Sequence, residues 1–169
     1  MSFPYRIRPA AAYTGAMSAA IRPYNTRDFA KLFRIDQACY PPGIAYSKNT
    51  LRWFLNLPGA KCLVAEVSGK IAGFILAEEH PPLAHIITID VVEPERRSGI
   101  GSALLLAIEE DLALHGVRTI VLETATDNEP AVAFWQNHGY RIQSVLERYY
   151  LGRLDAYEMK KALPAPKET

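Results

Sequence analysis

Arg96-Arg97-Ser98-Gly99-Ile100-Gly101-Ser102 lies between an apolar run and the longest helical pattern of the chain, and its reading decides the fold. At the start of a helix the first backbone N–H groups lack partners, and glycines let a phosphate approach them without side-chain obstruction. Neighbouring arginines add charge-assisted bonds to the same anion. The segment reads as a pyrophosphate cradle, with Arg96, Arg97, Ser98, Gly99, Ile100, Gly101 and Ser102 as candidate contacts. An ordinary helix entry with solvated arginines explains the same residues without a ligand. No Gly-Lys-Ser/Thr follows Gly101, which excludes a Walker loop. A dinucleotide fingerprint fits poorly, because Leu104 stands where glycine or alanine is needed and Glu93 to Arg97 separate strand from glycines. Glu123 nevertheless falls near the spacing of that fingerprint's ribose-binding acid.

Upstream, His85-Ile86-Ile87-Thr88-Ile89-Asp90-Val91-Val92 belongs to a strand from Ala84 to about Val92, apolar at nearly every position and so covered on both faces. Cys62 to Val67 and Ile71 to Ala77, joined by Ser68-Gly69-Lys70, form a hairpin before it. Ala20 to Arg22 is a first short strand. Asn25-Thr26 caps a helix with Phe29, Leu32, Phe33, Ile35 and Ala38 inside, and Ser47 caps a second one carrying Leu51, Trp53, Phe54, Leu55 and Leu57. Downstream, the spacing predicts a helix from Gly99 to His115, a strand over Val117 to Thr124, and a helix entered at Asp127-Asn128-Glu129-Pro130 and ending at His138-Gly139. Tyr140 to Leu146 and Ala156 to Lys161 are further strands. This order predicts a single α/β domain, with a mixed sheet and helices on both faces. Residues 20–163 form that domain, with 1–19 an extension and 164–169 a tail.

The composition supports one domain: 169 residues, 49% hydrophobic and 22% charged. A net charge of +1 gives no reason to expect a nucleic-acid or membrane-surface partner. The longest apolar runs end well short of the ~20 residues that cross a bilayer, and the N-terminus lacks the apolar stretch of a secretory signal. Cys39 and Cys62 form no CxxC pair, and His80, His85, His115 and His138 have no ligand spacing among themselves. No metal is expected, each histidine is read as a core or cap residue, and a reducing cytoplasm is the expected location.

The glycine segment, matched to Gln/Arg-x-x-Gly-x-Gly/Ala after the fourth strand, resembles the signature of the GNAT superfamily of acetyl-CoA-dependent N-acetyltransferases. A second block in those enzymes, an asparagine and then a helix ending aromatic-x-x-x-Gly-Phe/Tyr, is matched by Asn128 and Trp135-Gln136-Asn137-His138-Gly139-Tyr140. The resemblance spans approximately Ala20 to Leu163. It implies a mostly antiparallel sheet with a splay between the fourth and fifth strands, and acetyl-CoA as co-substrate. Within the superfamily the chain is most similar to protein N-terminal acetyltransferases of the ribosomal-protein alanine type. Val121-Leu122-Glu123, Arg148-Tyr149-Tyr150, Asp155 to Met159 and the substrate-loop-like Ala45-Tyr46-Ser47 carry that likeness. Two departures stand out: Trp135 replaces a tyrosine regarded as the general acid of the bacterial relatives, and Pro94 is one residue closer to the glycines than usual.

The resemblance assigns roles. A lysine amine of pKa about 10.4 is neutral roughly once in 2,500 molecules at pH 7, and an α-amine near 7.8 about once in seven, so a base helps both and the α-amine needs less help. Glu123, at a strand end, is the candidate base, acting through water. The N–H of Val91 is the donor for the oxyanion, and the backbone of Ile89 and Asp90 pairs with the pantetheine arm. Asn128 holds pantetheine or only caps its helix. Trp135 packs on the cofactor or holds its sulfur, and its indole cannot serve as an acid. Tyr149 and Tyr150 are candidates for the acid or for gripping substrate, with Tyr46 lining the entry. The expected reaction is direct attack by a primary amine, a protein N-terminus first. A small amine such as an aminoglycoside, polyamine or amino acid, a non-catalytic acyl-CoA sensor and a dinucleotide-binding protein remain the alternatives.

Overall fold

A computed structural model describes residues 19–165, so most of the expected extension and tail lies outside the described residues. In chain order the elements are β1 (Ala20–Pro23), α1 (Phe29–Cys39), α2 (Lys48–Leu55), β2 (Ala60–Val67), β3 (Lys70–His80), β4 (Leu83–Val91), α3 (Ile100–Leu114), β5 (Thr119–Ala125), α4 (Glu129–Asn137), β6 (Arg141–Tyr150) and β7 (Leu154–Ala162). Ser47 caps α2 by accepting the Thr50 amide, as its position before an apolar pattern predicts. None of the described helices is long and apolar enough to cross a membrane.

The strands form one open sheet in the order β1-β2-β3-β4-β5-β7-β6. Every neighbouring pair is antiparallel except β4 with β5. That parallel pair is short: Leu83 faces Thr119, Ala84 faces Ile120, His85 faces Val121, and beyond His85 the two strands part. A register shift in the β3–β4 ladder, where Leu76 faces Thr88 and Ala77 faces Ile86, adds a local bend as the strands separate. The splay expected between the fourth and fifth strands is therefore present.

Two apolar clusters lie on the two faces. Leu104, Leu105, Ile108 and Leu112 of α3, with Trp135 of α4, pack on Ile75, Ala77, Ile86, Ile120 and Leu122. Leu32 and Ile35 of α1 and Leu51 of α2 pack on Val64, Phe74 and Leu76. Alternation along β3 sends neighbouring residues to opposite clusters, which is how one strand serves both.

The last hairpin differs from its sequence reading. β6 continues to Tyr150 rather than stopping near Leu146, and β7 starts at Leu154. β6 is the edge of the sheet and mostly exposed, so it shows little of the apolar alternation by which a strand is recognised. Its ladder with β7 is also irregular between Leu146 and Tyr150, where Arg148 adopts φ 53°. The extension carries Tyr149 and Tyr150 onto the sheet.

Candidate active site at the splay

Parting from β5 leaves one edge of β4 unpaired, and backbone direction decides which groups face the gap. The Val92 amide donates to the Ala72 carbonyl of β3 at 2.8 Å. The Asp90 carbonyl oxygen also faces β3, where a Cβ on Gly73 would lie only 2.6 Å from it. Alternation then turns the backbone of Ile89 and Val91 to the open edge. Asp90 is a correction: its main chain belongs to the β3 ladder and does not face the gap. Its carboxylate is 1% exposed, accepting from Thr88 Oγ1 at 2.8 Å while Oδ2 has no partner. The Tyr40 hydroxyl lies 3.1 Å from Thr88 Oγ1. Burial pushes the Asp90 pKa up to about 7.

The glycine segment leads into α3 through a left-handed turn, with Arg97 at φ 62° and Gly99 at φ 87°. Gly99 is the N-cap and contributes no side chain, and the first helical bond runs from the Ala103 amide to its carbonyl at 2.9 Å. The amides of Ile100, Gly101 and Ser102 therefore take no part in helix bonding. The Ile100 side chain is core, so only its backbone is available. Ser98 Oγ donates to the Glu95 carbonyl. A Cβ on Gly99 would meet nothing within 4 Å, whereas one on Gly101 would lie 3.4 Å from the Phe134 ring and 4.0 Å from Ile89 Cδ1. The first turn of α3 thus lies against Phe134, with room at Gly101 for a methyl but not for a branched side chain. Arg96 turns away from the helix entry: its Nε donates to the Val91 carbonyl at 3.0 Å, and Nη2 reaches Cys39 Sγ at 3.5 Å.

In the second block Trp135 is placed differently from its expected role, whereas Asn128 takes the capping one of its two. Trp135 is 5% exposed and stacks edge-on against Tyr140 at 5.2 Å, so its ring is taken up by the core. The aromatic ring against Gly101 is Phe134, its neighbour, which the block's pattern does not single out. Asn128 caps α4, accepting the Ala131 amide at 3.3 Å.

At the mouth of the splay stands Glu123 on β5. Its Oε2 is 2.6 Å from His85 Nε2 of β4. Both side chains are on the α1–α2 face, since the alternate residues Ala84, Ile86, Leu122 and Thr124 are buried on the other. Tyr150 donates from its hydroxyl to the Glu123 carbonyl at 3.5 Å, and Tyr149 stacks edge-on against Tyr150 at 4.9 Å. Burial raises the pKa of Tyr149, and the charge and hydrogen bond of Glu123 add to it. Tyr150 is raised by burial, then by Tyr149 and Glu123.

Tyr46, between α1 and α2, completes the ring. The buried Asp36 accepts its amide at 2.8 Å, Gln37 donates to its carbonyl at 2.8 Å, and its hydroxyl reaches the Ile87 carbonyl at 3.4 Å. Burial raises its pKa too, followed by Tyr150, Asp36, Asp90 and Tyr149. All three phenols therefore keep their protons at neutral pH and can donate. The structure brings together Glu123, Tyr149, Tyr150 and Tyr46, and adds His85, which sequence reading had assigned to core or cap. No group of three or more metal-ligating side chains occurs among the described residues.

Known proteins share this fold. An N-alpha-acetyltransferase of Sulfurisphaera tokodaii is 31% identical over 157 residues, covering 83% of this chain and 93% of the relative. The crystal structure of the ribosomal-protein-S18-alanine N-acetyltransferase from Escherichia coli superposes with a TM-score of 0.80 at 25% identity, covering 89% of this chain and 97% of that one. Arabidopsis thaliana NAA60 in complex with acetyl-CoA has the same fold, with a TM-score of 0.75 at 22% identity over 86% of this chain and 98% of that one. The Acetyltransferase (GNAT) family model matches residues 29–140, and with the splay, the glycine turn and these relatives in agreement the chain belongs to that family of N-acetyltransferases.

Proposed function

We propose that the protein transfers an acetyl group from acetyl-CoA to the α-amine of a protein N-terminus by direct attack. The observation that carries this reading is the Glu123 carboxylate, held by His85 at the mouth of the splay beside the open edge of β4. Acetyl-CoA supplies an acyl group activated as a thioester. The unpaired Ile89 and Val91 edge suits an amide-bearing chain lying along it as an added strand, and the free amides at the start of α3, with Arg97, suit its pyrophosphate. The Val91 N–H is then a donor to the acetyl oxygen as charge develops there. Arg96 braces the end of β4 through the Val91 carbonyl.

On the other face, Glu123 takes the amine's proton through a water, and His85 fixes the carboxylate that receives it. An α-amine suits this pair because a sizeable fraction is already neutral near pH 7. Tyr46, Tyr149 and Tyr150 offer protonated hydroxyls to the substrate backbone, and Tyr149 or Tyr150 is the available acid for the departing thiolate. The names of the relatives, N-alpha- and ribosomal-protein-alanine acetyltransferases, support a protein N-terminus over a small amine.

Thiol release from acetyl-CoA tests the reading, with free N-terminal peptides, N-terminally blocked lysine peptides and small amines assayed in parallel. Turnover confined to free N-termini is the expected result. Turnover confined to small amines overturns the substrate, and silence with CoA still bound points to a sensor or to an amine outside the panel.

A further inference from the structure

The overall charge of +1 conceals an uneven distribution. Between Tyr24 and Gly59 stand five cations, Arg27, Lys31, Arg34, Lys48 and Arg52, and two acids. Neither acid neutralises them: Asp36 is fully buried, and Asp28 is bonded to Arg22 at 2.8 Å. Among the described residues none of the five has a carboxylate at ion-pair distance. The outer faces of α1 and α2 are therefore one basic surface.

That surface is also built to hold its shape. Arg52 lies over the Phe29 ring at 4.5 Å and Lys48 over Phe33 at 5.4 Å, and the two rings stack at 6.5 Å. Next to Arg52 in sequence, Trp53 packs on Phe54 at 4.9 Å and is 59% exposed, an uncommon position for a residue type that anchors interfaces. Lys48, Asn49, Arg52 and Trp53 share the exposed face of α2 at helical spacing, and the exposed Asn56 follows at its C-cap. The surface begins two residues after Tyr46, whose hydroxyl reaches β4 inside the cleft. Across the cleft the β6–β7 turn is balanced, with Arg148 and Arg153 against Glu147 and Asp155.

We infer that this α1–α2 surface receives an acidic stretch of the substrate polypeptide, downstream of the N-terminus held in the cleft. The inference rests on the protein N-terminus reading and narrows it to N-termini followed within several residues by Asp or Glu. A polypeptide leaving the cleft beside Tyr46 passes Lys48 first and reaches Arg52 further along α2. Solvent-exposed charges act at range of about a Debye length, near 10 Å at 0.1 M salt, so the preference weakens as salt rises. It appears in KM more than in kcat, because the tail is distant from the reacting atoms.

The test compares peptides sharing their first four residues and ending in an acidic, a neutral or a lysine-rich tail. At low salt the acidic tail has a kcat/KM about tenfold above the neutral one, and the gap narrows at physiological salt. The double variant R34E/R52E brings the ratio to one or below, and W53S lowers kcat/KM for tailed peptides relative to a tripeptide. Each ratio is internal to one preparation, so a partial folding defect cancels. Equal rates on acidic and neutral tails, or a ratio that survives R34E/R52E, overturns the inference while leaving N-terminal acetylation intact. No turnover on the neutral-tail peptide, with small amines turned over, overturns the reading beneath it. A single-stranded RNA oligomer that binds the native protein but not R34E/R52E, with tails treated alike, assigns the surface to nucleic acid instead.

Discussion

Glu123 and His85 are separated by 37 intervening positions and meet only because β4 and β5 run parallel for three residue pairs before they part. Pattern reading reached Glu123 from its place at a strand end, yet no local spacing ties it to a histidine in a run that looks like pure core. The same limit explains Trp135 and Phe134: both are aromatic, and only the rotation of α4 decides which one faces α3. If Glu123 accepts the amine's proton, Glu123→Gln lowers kcat by about 10²- to 10⁴-fold, while CoA affinity measured by calorimetry stays unchanged. Asp90 makes a separate prediction about stability. Its folded pKa of about 7 lies above the unfolded value near 3.9, so the folded state holds a proton that the unfolded state has released between those values. Stability is therefore greatest at the acid end of that window, falls by up to about 1.4 kcal/mol per pH unit as pH rises, and levels off above about pH 7. Burial raises the Asp36 pKa as well, and its contribution has the same sign. Denaturant titrations from pH 4 to pH 8 on the native protein and Asp90→Asn check this, and the variant has the flatter profile.

At the scale of elements the sequence was most informative where a segment is buried on both faces or punctuated by glycine. β4, α3 and β5 are such segments, and the glycine turn between β4 and α3 marks the boundary itself. β6 was legible only in part, because an exposed edge strand has no side to bury and hence no alternation to read. Gly101 illustrates how two elements share a residue. The Phe134 ring of α4 lies against it at the first turn of α3, where a single methyl would make ordinary contact at 3.4 Å. Gly101→Ala therefore retains CoA binding within a few-fold. Gly101→Val forces its branched methyls into Phe134 and shifts the helix start, costing about 1–3 kcal/mol of stability and weakening CoA binding. Thermal unfolding and CoA titration of the two variants distinguish this from a cradle in which any side chain at Gly101 is excluded.

Considered as a whole, the sheet is two half-sheets, β1-β2-β3-β4 and β5-β7-β6, joined at one end by three facing pairs and covered by helices on both faces. The order of elements predicted that architecture and the resemblance predicted the splay, whereas the basic surface over α1 and α2 was invisible to a net charge that averages over the chain. A ligand along the open edge of β4 and the start of α3 adds contacts that only the folded chain provides. Acetyl-CoA at one hundred times its Kd then stabilises the fold by about 2.7 kcal/mol, raising Tm by roughly 5–10 °C in scanning calorimetry, while NAD at the same concentration leaves it unmoved. The gap also has a kinetic consequence. Glu123 and His85 open onto the α1–α2 face, whereas the glycine turn belongs to the α3–α4 face, so on the proposed reading the sheet is a partition with a separate doorway for each reactant. Neither reactant blocks the other's path, and the products depart by different routes. Free CoA then acts as a competitive inhibitor against acetyl-CoA and as a non-competitive one against the amine, and initial-rate plots intersect instead of running parallel.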